Sequence, residues 1–174
     1  FVKWFFFFFM NTRKLYDGLK AFNLGQHYYL QDFYCPVEKS MELISFTEKE
    51  LSIYPVWLCP VKVCSNDQKL SPHYIKNSEI LLDIGIWGRT EKYDKPIEIN
   101  KNFEKYVKQL NGRKMLYAHA YYDQKEFWDI YDKKWYATLR NKYNAEGVFP
   151  DIWQKVHVST TSYKLKITRG IYTM

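Results

Sequence analysis

The sequence predicts an α+β domain, a four-stranded antiparallel sheet with helices on one face and further short helices after it. Three observations carry this. Apolar and aromatic runs of strand length recur around residues 29–35, 52–63, 79–87 and 115–122. Between the third and fourth runs lies a 3.6-period pattern, with Ile99, Phe103, Tyr106, Val107 and Leu110 on one side and Lys101, Glu104, Lys105 and Lys108 on the other. Turn and stop signals separate the segments: Asn66-Asp67, Pro72, Gly88 and Asn111-Gly112.

Taken in order, residues 29–35 read as the first strand. Pro36-Val37-Glu38 then opens a helix whose apolar residues Val37, Met41 and Ile44 fall at i, i+4 and i+7. Residues 52–63 read as the second strand, with Pro55 inside and Pro60 near its end. Proline removes a ladder hydrogen bond, so this strand belongs at a sheet edge or faces something other than ordinary core. Residues 64–78 are a polar loop, and 79–87 are the third strand. The helix over 99–110 carries Glu104 and Lys108 as an i,i+4 pair and stops at Asn111-Gly112. Residues 115–122 complete the set. Strand, helix, strand, strand, helix, strand is the order of a ferredoxin-like split βαβ unit. Asp123 with Glu126 is a capping box for one further helix. Asp132 opens another, bearing Trp135, Leu139 and Tyr143, and residues 151–158 add a turn or two.

This divides the 174 residues into four parts. Residues 1–28 are an apolar N-terminal connector, 29–123 the sheet domain, 124–158 C-terminal helices, and 159–174 a Ser/Thr-rich tail. Phe1 is no initiator Met, and the apolar opening of the chain is about half the roughly 20 residues a membrane-crossing helix needs. It reads either as the remnant of a longer chain or as a segment dipping into a membrane interface.

Composition narrows the class. The apolar fraction of 47% and charged fraction of 26% suit a globular domain with a real core. Aromatic residues make up 20%, a surplus suited to lining a pocket or meeting another apolar surface. The net charge of +7 comes from cations interspersed with acids, which reads as a solvated surface rather than a nucleic-acid stripe. Cys35, Cys59 and Cys64 form no metal-spaced pair, so reduced thiols on the cytosolic side are expected and a zinc site is not.

Strand alternation sorts the side chains by face. Leu116, Ala118 and Ala120, Ile80, Leu82, Ile84 and Ile86, and Val56 and Leu58 make the side expected under the helices. The other side then collects Trp57, Asp83, Trp87, Tyr117, His119 and Tyr121. An antiparallel sheet can show one face to water, but water does not call for indoles and phenols in adjacent strands. The face is therefore either a ligand or domain-contact surface or the base of a second layer built by the C-terminal helices.

Several pieces together carry a family resemblance: Gln31-Asp32 followed by Pro36, the run Tyr54-Pro55-Val56-Trp57-Leu58-Cys59-Pro60, Asp83-Ile84-Gly85, Met115-Leu116-Tyr117-Ala118, Glu126-Phe127-Trp128, Leu139-Arg140 and Phe149-Pro150. In this order, over roughly residues 10–156, the chain resembles the C-terminal part of the FAD-dependent Δ24-sterol reductases. These are the 24-dehydrocholesterol reductases and their Diminuto-like plant relatives, flavoproteins of the vanillyl-alcohol-oxidase type. The resemblance implies an enzyme in which NADPH reduces FAD and hydride passes to the sterol C24=C25 bond while an acid supplies a proton. It implies that this part caps the flavin ring and holds the sterol, and that an N-terminal FAD domain outside this chain binds most of the cofactor. The chain alone is then expected to be inactive. It further implies a membrane surface at the cytosolic face of the endoplasmic reticulum. On that reading Tyr117 or His119 is the proton source or a partner of the flavin edge. Trp57, Asp83, Trp87 and Tyr121 contact substrate, and Arg140 and Lys142 lie on the segment returning to the cofactor domain.

Other readings stand beside this one. Tyr117 lies in a matched motif and His119 does not; a sheet histidine is commonly a satisfied structural group, and Asp83 can simply pair with a nearby cation. A βαββαβ sheet with exposed aromatics also describes an RNA-binding module, but Asp83 stands where bases would stack. A different FAD-linked oxidoreductase acting on another lipid or a small molecule, and a non-catalytic paralogue, complete the alternatives.

Overall fold

The computed structural model describes residues 28–63, 74–75, 78–90, 92 and 95–158. The expectations for the N-terminal connector, for most of the 64–78 loop and for the C-terminal tail lie outside the described residues.

Strand β1 (Tyr29–Pro36) leads through a 3₁₀ turn at Val37–Lys39 into helix α1 (Ser40–Glu50). Strands β2 (Trp57–Lys62) and β3 (Ile80–Gly88) follow, then helix α2 (Pro96–Gln109) and the two-residue strand β4 (Arg113–Lys114). The sheet order is β2-β3-β1-β4 with every neighbouring pair antiparallel. That is the split βαβ arrangement the element order predicted. β2 lies at the edge, which accommodates Pro60 inside it. It begins only at Trp57, after the cis Tyr54–Pro55 bond, rather than at Ser52.

Helices α1 and α2 cover one face. Tyr29, Phe33 and Cys35 of β1, Ile84 and Ile86 of β3, Leu43 of α1, and Phe103 and Val107 of α2 form the main core. Phe103 anchors it, tilted 5.2 Å from Tyr29 and stacked 6.0 Å from Phe33. Three expectations for this side need correction. Val37 and Met41 are 46% and 67% exposed, because the chain spends Val37–Lys39 in a 3₁₀ turn and α1 starts out of phase with the expected stripe. Leu43 and Thr47 face the core instead. Leu58 and Ile80 are half exposed, since the helices reach neither across the edge strand nor to the start of β3. Glu104 is buried rather than solvated beside Lys108, and its partner is Lys114.

Helix α2 ends in a Schellman motif. Gly112 N–H donates to Val107 O at 2.8 Å and Asn111 N–H to Lys108 O at 3.1 Å, with Asn111 at φ 57°. A Cβ on Gly112 would lie 2.7 Å from the Tyr34 carbonyl. Only glycine therefore lets the chain turn closely enough onto β1 to start β4.

The expected fourth strand over 115–122 is mostly not a strand. Its ladder ends with the Met115 N–H on Asp32 O at 3.0 Å, and the chain then turns. Ala120 meets His157 in a single parallel bridge. Helices α3 (Gln124–Ile130), α4 (Lys133–Lys142) and α5 (Ile152–Val156) follow. The capping box at Asp123 and Glu126 is present, and a second one joins Asp151 to Gln154. Ala120, Tyr122, Phe127, Tyr131 and Val156 form a separate small core. A third cluster, Tyr34, Ile75 and Leu81, lies on the side of the sheet away from α1 and α2.

Candidate functional site

The cross-strand register puts four rows on that second face. Leu30 faces Trp87; Asp32 faces Gly85, which faces Trp57; Tyr34 faces Asp83, which faces Cys59; Pro36 faces Leu81, which faces Val61. Arg113 of β4 continues the Tyr34 row. Ile75 packs over Tyr34 and Leu81 in the two lower rows, and Asp83, in the row that borders the open ones, is nearly buried. The upper two stay open, with Trp57 55%, Trp87 47% and Tyr117 54% exposed. The C-terminal helices build their own core, and among the described residues they form no layer over these half-exposed rings.

The open rows hold a specific arrangement. The indole rings of Trp57 and Trp87 stack at 6.3 Å with 18° between planes. Trp87 Nε1 donates to Asp32 Oδ1 at 2.9 Å and to the Tyr117 hydroxyl at 3.2 Å. The Tyr117 hydroxyl also hydrogen-bonds the Asp32 carboxyl. Gly85 makes room for this knot: a Cβ there would lie 2.6 Å from Asp32 Oδ1, 3.1 Å from Trp57 Cβ and 3.2 Å from Trp87 Cζ2.

Two carboxyls share the face in unlike surroundings. Asp32 is 5% and Asp83 8% exposed. Burial raises the pKa of Asp32, and the hydrogen bonds from Tyr117 and Trp87 pull it back down. Asp83 Oδ1 is buried and accepts no hydrogen bond among the described residues. Burial, then the neighbouring Asp32 charge, pushes Asp83 up to about 6. Burial and the same two carboxyls push the Tyr34 phenol up to about 12. The Tyr117 phenol is raised further by burial and by Asp32, so it holds its proton throughout the physiological range.

Of the residues singled out from sequence, Trp57, Asp83, Trp87 and Tyr117 come together on this face. His119 and Tyr121 do not join them. Strand alternation extended past Met115 would place them there, but the ladder stops at that residue, so residue parity no longer sets direction. His119 is exposed, and its carbonyl accepts from Lys114 Nζ and, at 3.3 Å, from Gln31 Nε2. Tyr121 is buried on the helix side: its N–H donates to Glu104 Oε1 at 2.9 Å and its ring lies 5.5 Å from Lys114 Nζ. Arg140 directs its guanidinium inward to the following loop. It donates to Ala145 O at 3.0 Å, Phe149 O at 2.7 Å, Pro150 O at 3.3 Å and Glu146 Oε2 at 2.8 Å. Lys142 is exposed, with its ammonium 5.5 Å from the Tyr143 ring.

Sequence reading passes over Asp32 as a site residue. The available signal is an acid on a strand face otherwise made of Leu30, Tyr34 and Pro36.

Fold and site together define a single-sheet α+β unit with an open, aromatic, acid-bearing face. Comparison with known proteins then gives the family. Human Delta(24)-sterol reductase is 30% identical over 145 residues, which are 83% of this chain and 26% of that protein. The Caenorhabditis elegans Delta(24)-sterol reductase homolog dhcr-24 is 31% identical over 147 residues, with the same coverage of both chains. The Arabidopsis thaliana Delta(24)-sterol reductase is 26% identical over 144 residues, covering 72% of this chain and 26% of that one. Over the matched stretch the chain belongs to the Delta(24)-sterol reductase family. It spans about a quarter of the length of the curated relatives it matches. No family model matches the chain, and no solved structure does.

Proposed function

We propose that this chain is the substrate-covering, C-terminal part of a Δ24-sterol reductase, and that its open sheet face holds the sterol side chain for reduction at C24=C25. The observation that carries the reading is the stacked Trp57–Trp87 platform beside Tyr117 and two buried carboxyls. An isolated alkene offers no polar handle, so its recognition requires flat apolar walls with very few proton-bearing groups among them. Trp57 and Trp87 are the walls, and Tyr117 and the carboxyls are the polar groups. Between the two proton sources expected from sequence, the exposed position of His119 away from this cluster favours Tyr117 as the group near the substrate.

Family resemblance brings FAD as the redox cofactor and NADPH as reductant; bound FAD supplies hydride transfer. The residues here fit one end of that cofactor. The indole platform suits a flat ring, whereas the charged group of the open rows among the described residues is the acid Asp32, which offers nothing to a pyrophosphate. Arg140 uses its donors on its own loop. The phosphates are therefore assigned to an N-terminal FAD domain, with this chain orienting the sterol and excluding water from the reacting bond. The same reading makes a membrane at the cytosolic face of the endoplasmic reticulum the source of the sterol. Among the described residues, no helix is long and apolar enough to cross a membrane.

The test is a graft. Residues 10–156 of this chain replace the matching quarter of human Delta(24)-sterol reductase in cells lacking that enzyme, and conversion of 24-dehydrocholesterol is followed. The graft restores conversion, and Trp57→Ala with Trp87→Ala raises the apparent KM about tenfold, as expected from losing roughly 1–2 kcal/mol of aromatic contact. A folded, flavin-loaded graft that leaves the sterol unreduced counts against the reading.

A further inference from the structure

We propose that Asp83 is the protonated member of an Asp32–Asp83 carboxyl pair and the proton donor of this face, with Asp32 its ionised partner. As a statement about the reaction, this rests on the sterol-reductase reading above.

Strand register sets the geometry. Asp32 lies opposite Gly85, and Asp83 opposite Tyr34, so the two carboxyls are diagonal neighbours on adjacent strands and on one face. Diagonal pairs stand about 7–8 Å apart at Cα and closer at the side chains. Two carboxylates this near and this buried do not both ionise cheaply, so their surroundings decide which one keeps a proton. Those surroundings are unequal. Asp32 receives the Trp87 indole N–H and the Tyr117 hydroxyl, two donors that favour its anion. Asp83 Oδ1 is buried with no donor among the described residues.

Among the described residues, the groups facing Asp83 from the packed elements include no cation to hold it ionised. They are Asp32 and Tyr34 from β1, Cys59 from β2, and Tyr117 from the turn after β4. Arg113 on β4 is separated from it by the whole width of β1, and its guanidinium lies between the rings of Tyr74 and Tyr131, 5.5 and 5.4 Å away. Burial and then the Asp32 charge push Asp83 up to about 6, a poise suited to general acid catalysis near neutral pH.

In the reducing step Asp83 would give its proton to one alkene carbon, bonded there by the π pair, and be left as carboxylate, while bound FAD would supply the hydride for the other carbon and account for the two-electron oxidation. Solvent then reprotonates Asp83. Tyr117, bound to Asp32 and holding its own proton tightly, keeps Asp32 in place and acts as a positioning residue.

The deciding experiment is a carboxyl-carbon NMR titration of the full 174-residue chain. Asp83 titrates near 6, and Asp32→Asn moves that midpoint down by about one unit, because the neighbouring charge has gone. An Asp83 midpoint at the ordinary carboxylate value of about 4, unmoved by Asp32→Asn, overturns the assignment whatever the chain does with sterols. In the graft, Asp83→Asn lowers kcat about 10²–10⁴-fold with KM little changed, and Asp83→Glu restores part of it. A kcat retained in Asp83→Asn also overturns it. A graft inactive with Asp83 intact overturns the sterol reading instead, while the titration still decides the carboxyl pair.

Discussion

Removing one member of the Glu104–Lys114 pair will cost this domain more than removing both. Lys114 Nζ and Glu104 Oε1 meet at 2.6 Å with side-chain exposures of 0% and 3%. The pair does more than neutralise itself. Glu104 also accepts the Tyr121 N–H, and Lys114 Nζ donates to the His119 carbonyl. The Tyr131 hydroxyl closes onto Lys114 O at 3.1 Å. One ion pair thus fastens the turn of residues 115–121 to helix α2. Glu104→Leu strands a buried ammonium and leaves the Tyr121 N–H without its acceptor. Breaking a buried pair costs about 3–5 kcal/mol, and an unsatisfied N–H about 1–3 kcal/mol; allowing for relaxation, about 4–5 kcal/mol is expected. Lys114→Met costs less, about 3 kcal/mol, because Glu104 keeps the Tyr121 N–H as a donor. The double variant, apolar on both sides, loses less than Glu104→Leu alone. Urea unfolding of the four proteins gives the cycle. Single losses below about 1 kcal/mol, or a double variant equal to the sum of the singles, would refute the description of a desolvated pair.

Three further outcomes follow from the same geometry. Gly85→Ala drives a Cβ to 2.6 Å from Asp32 Oδ1; it lowers stability by about 1–3 kcal/mol and changes the near-ultraviolet signal of the stacked indoles, and an unchanged spectrum would count against the contact. The folded-state pKa of Asp83 lies above its ordinary 3.8, at about 6, so the native state binds more protons across that window. Its stabilising share is complete below 3.8 and is lost as pH rises through 6. The stability of Asp83→Asn relative to the parent should therefore improve by about 2–3 kcal/mol from about pH 4 to about pH 8, and a pH-independent difference would contradict the burial argument. Arg140→Ala frees four acceptors between Ala145 and Pro150 and speeds proteolytic nicking there. Arg140→Lys does not restore protection, because an ammonium lacks the planar fork that spans them.

The sheet is legible in the sequence because its signals are local and redundant. Pro60 announces an edge strand, Asn111-Gly112 a helix stop, and the alternation of Leu82, Ile84 and Ile86 a covered face. The C-terminal capping box needs only Asp123 and Glu126. What stays hidden depends on phase or on partners distant in sequence. α1 starts after a 3₁₀ turn, and no local pattern moves the stripe from Met41 to Leu43. Glu104 reads as a surface acid until Lys114, ten residues on, is placed against it. Period-2 alternation continued from Met115 to Tyr121 puts His119 and Tyr121 on the wrong side, since pairing ends where Met115 meets Asp32. Trp57, Asp83, Trp87 and Tyr117 can be found because each lies on a paired strand or just beyond the last ladder bond, at Met115. Asp32 is legible in principle and easily passed over, because a lone acid on an apolar strand face reads as a motif letter until its neighbours are known.

The packing of Ile75 on Tyr34 and Leu81 limits how much of the sheet a ligand can touch. Two rows stay fully open, about 7 Å apart along the strands and bordered by Asp83, and the three strands they cross, about 4.8 Å apart, give a width of roughly 10 Å. That footprint accommodates a branched hydrocarbon tail but not the fused rings attached to it. On the proposed reading, a sterol gripped there by its tail leaves its ring system beyond the sheet, to be sheltered by whatever surface closes over this one.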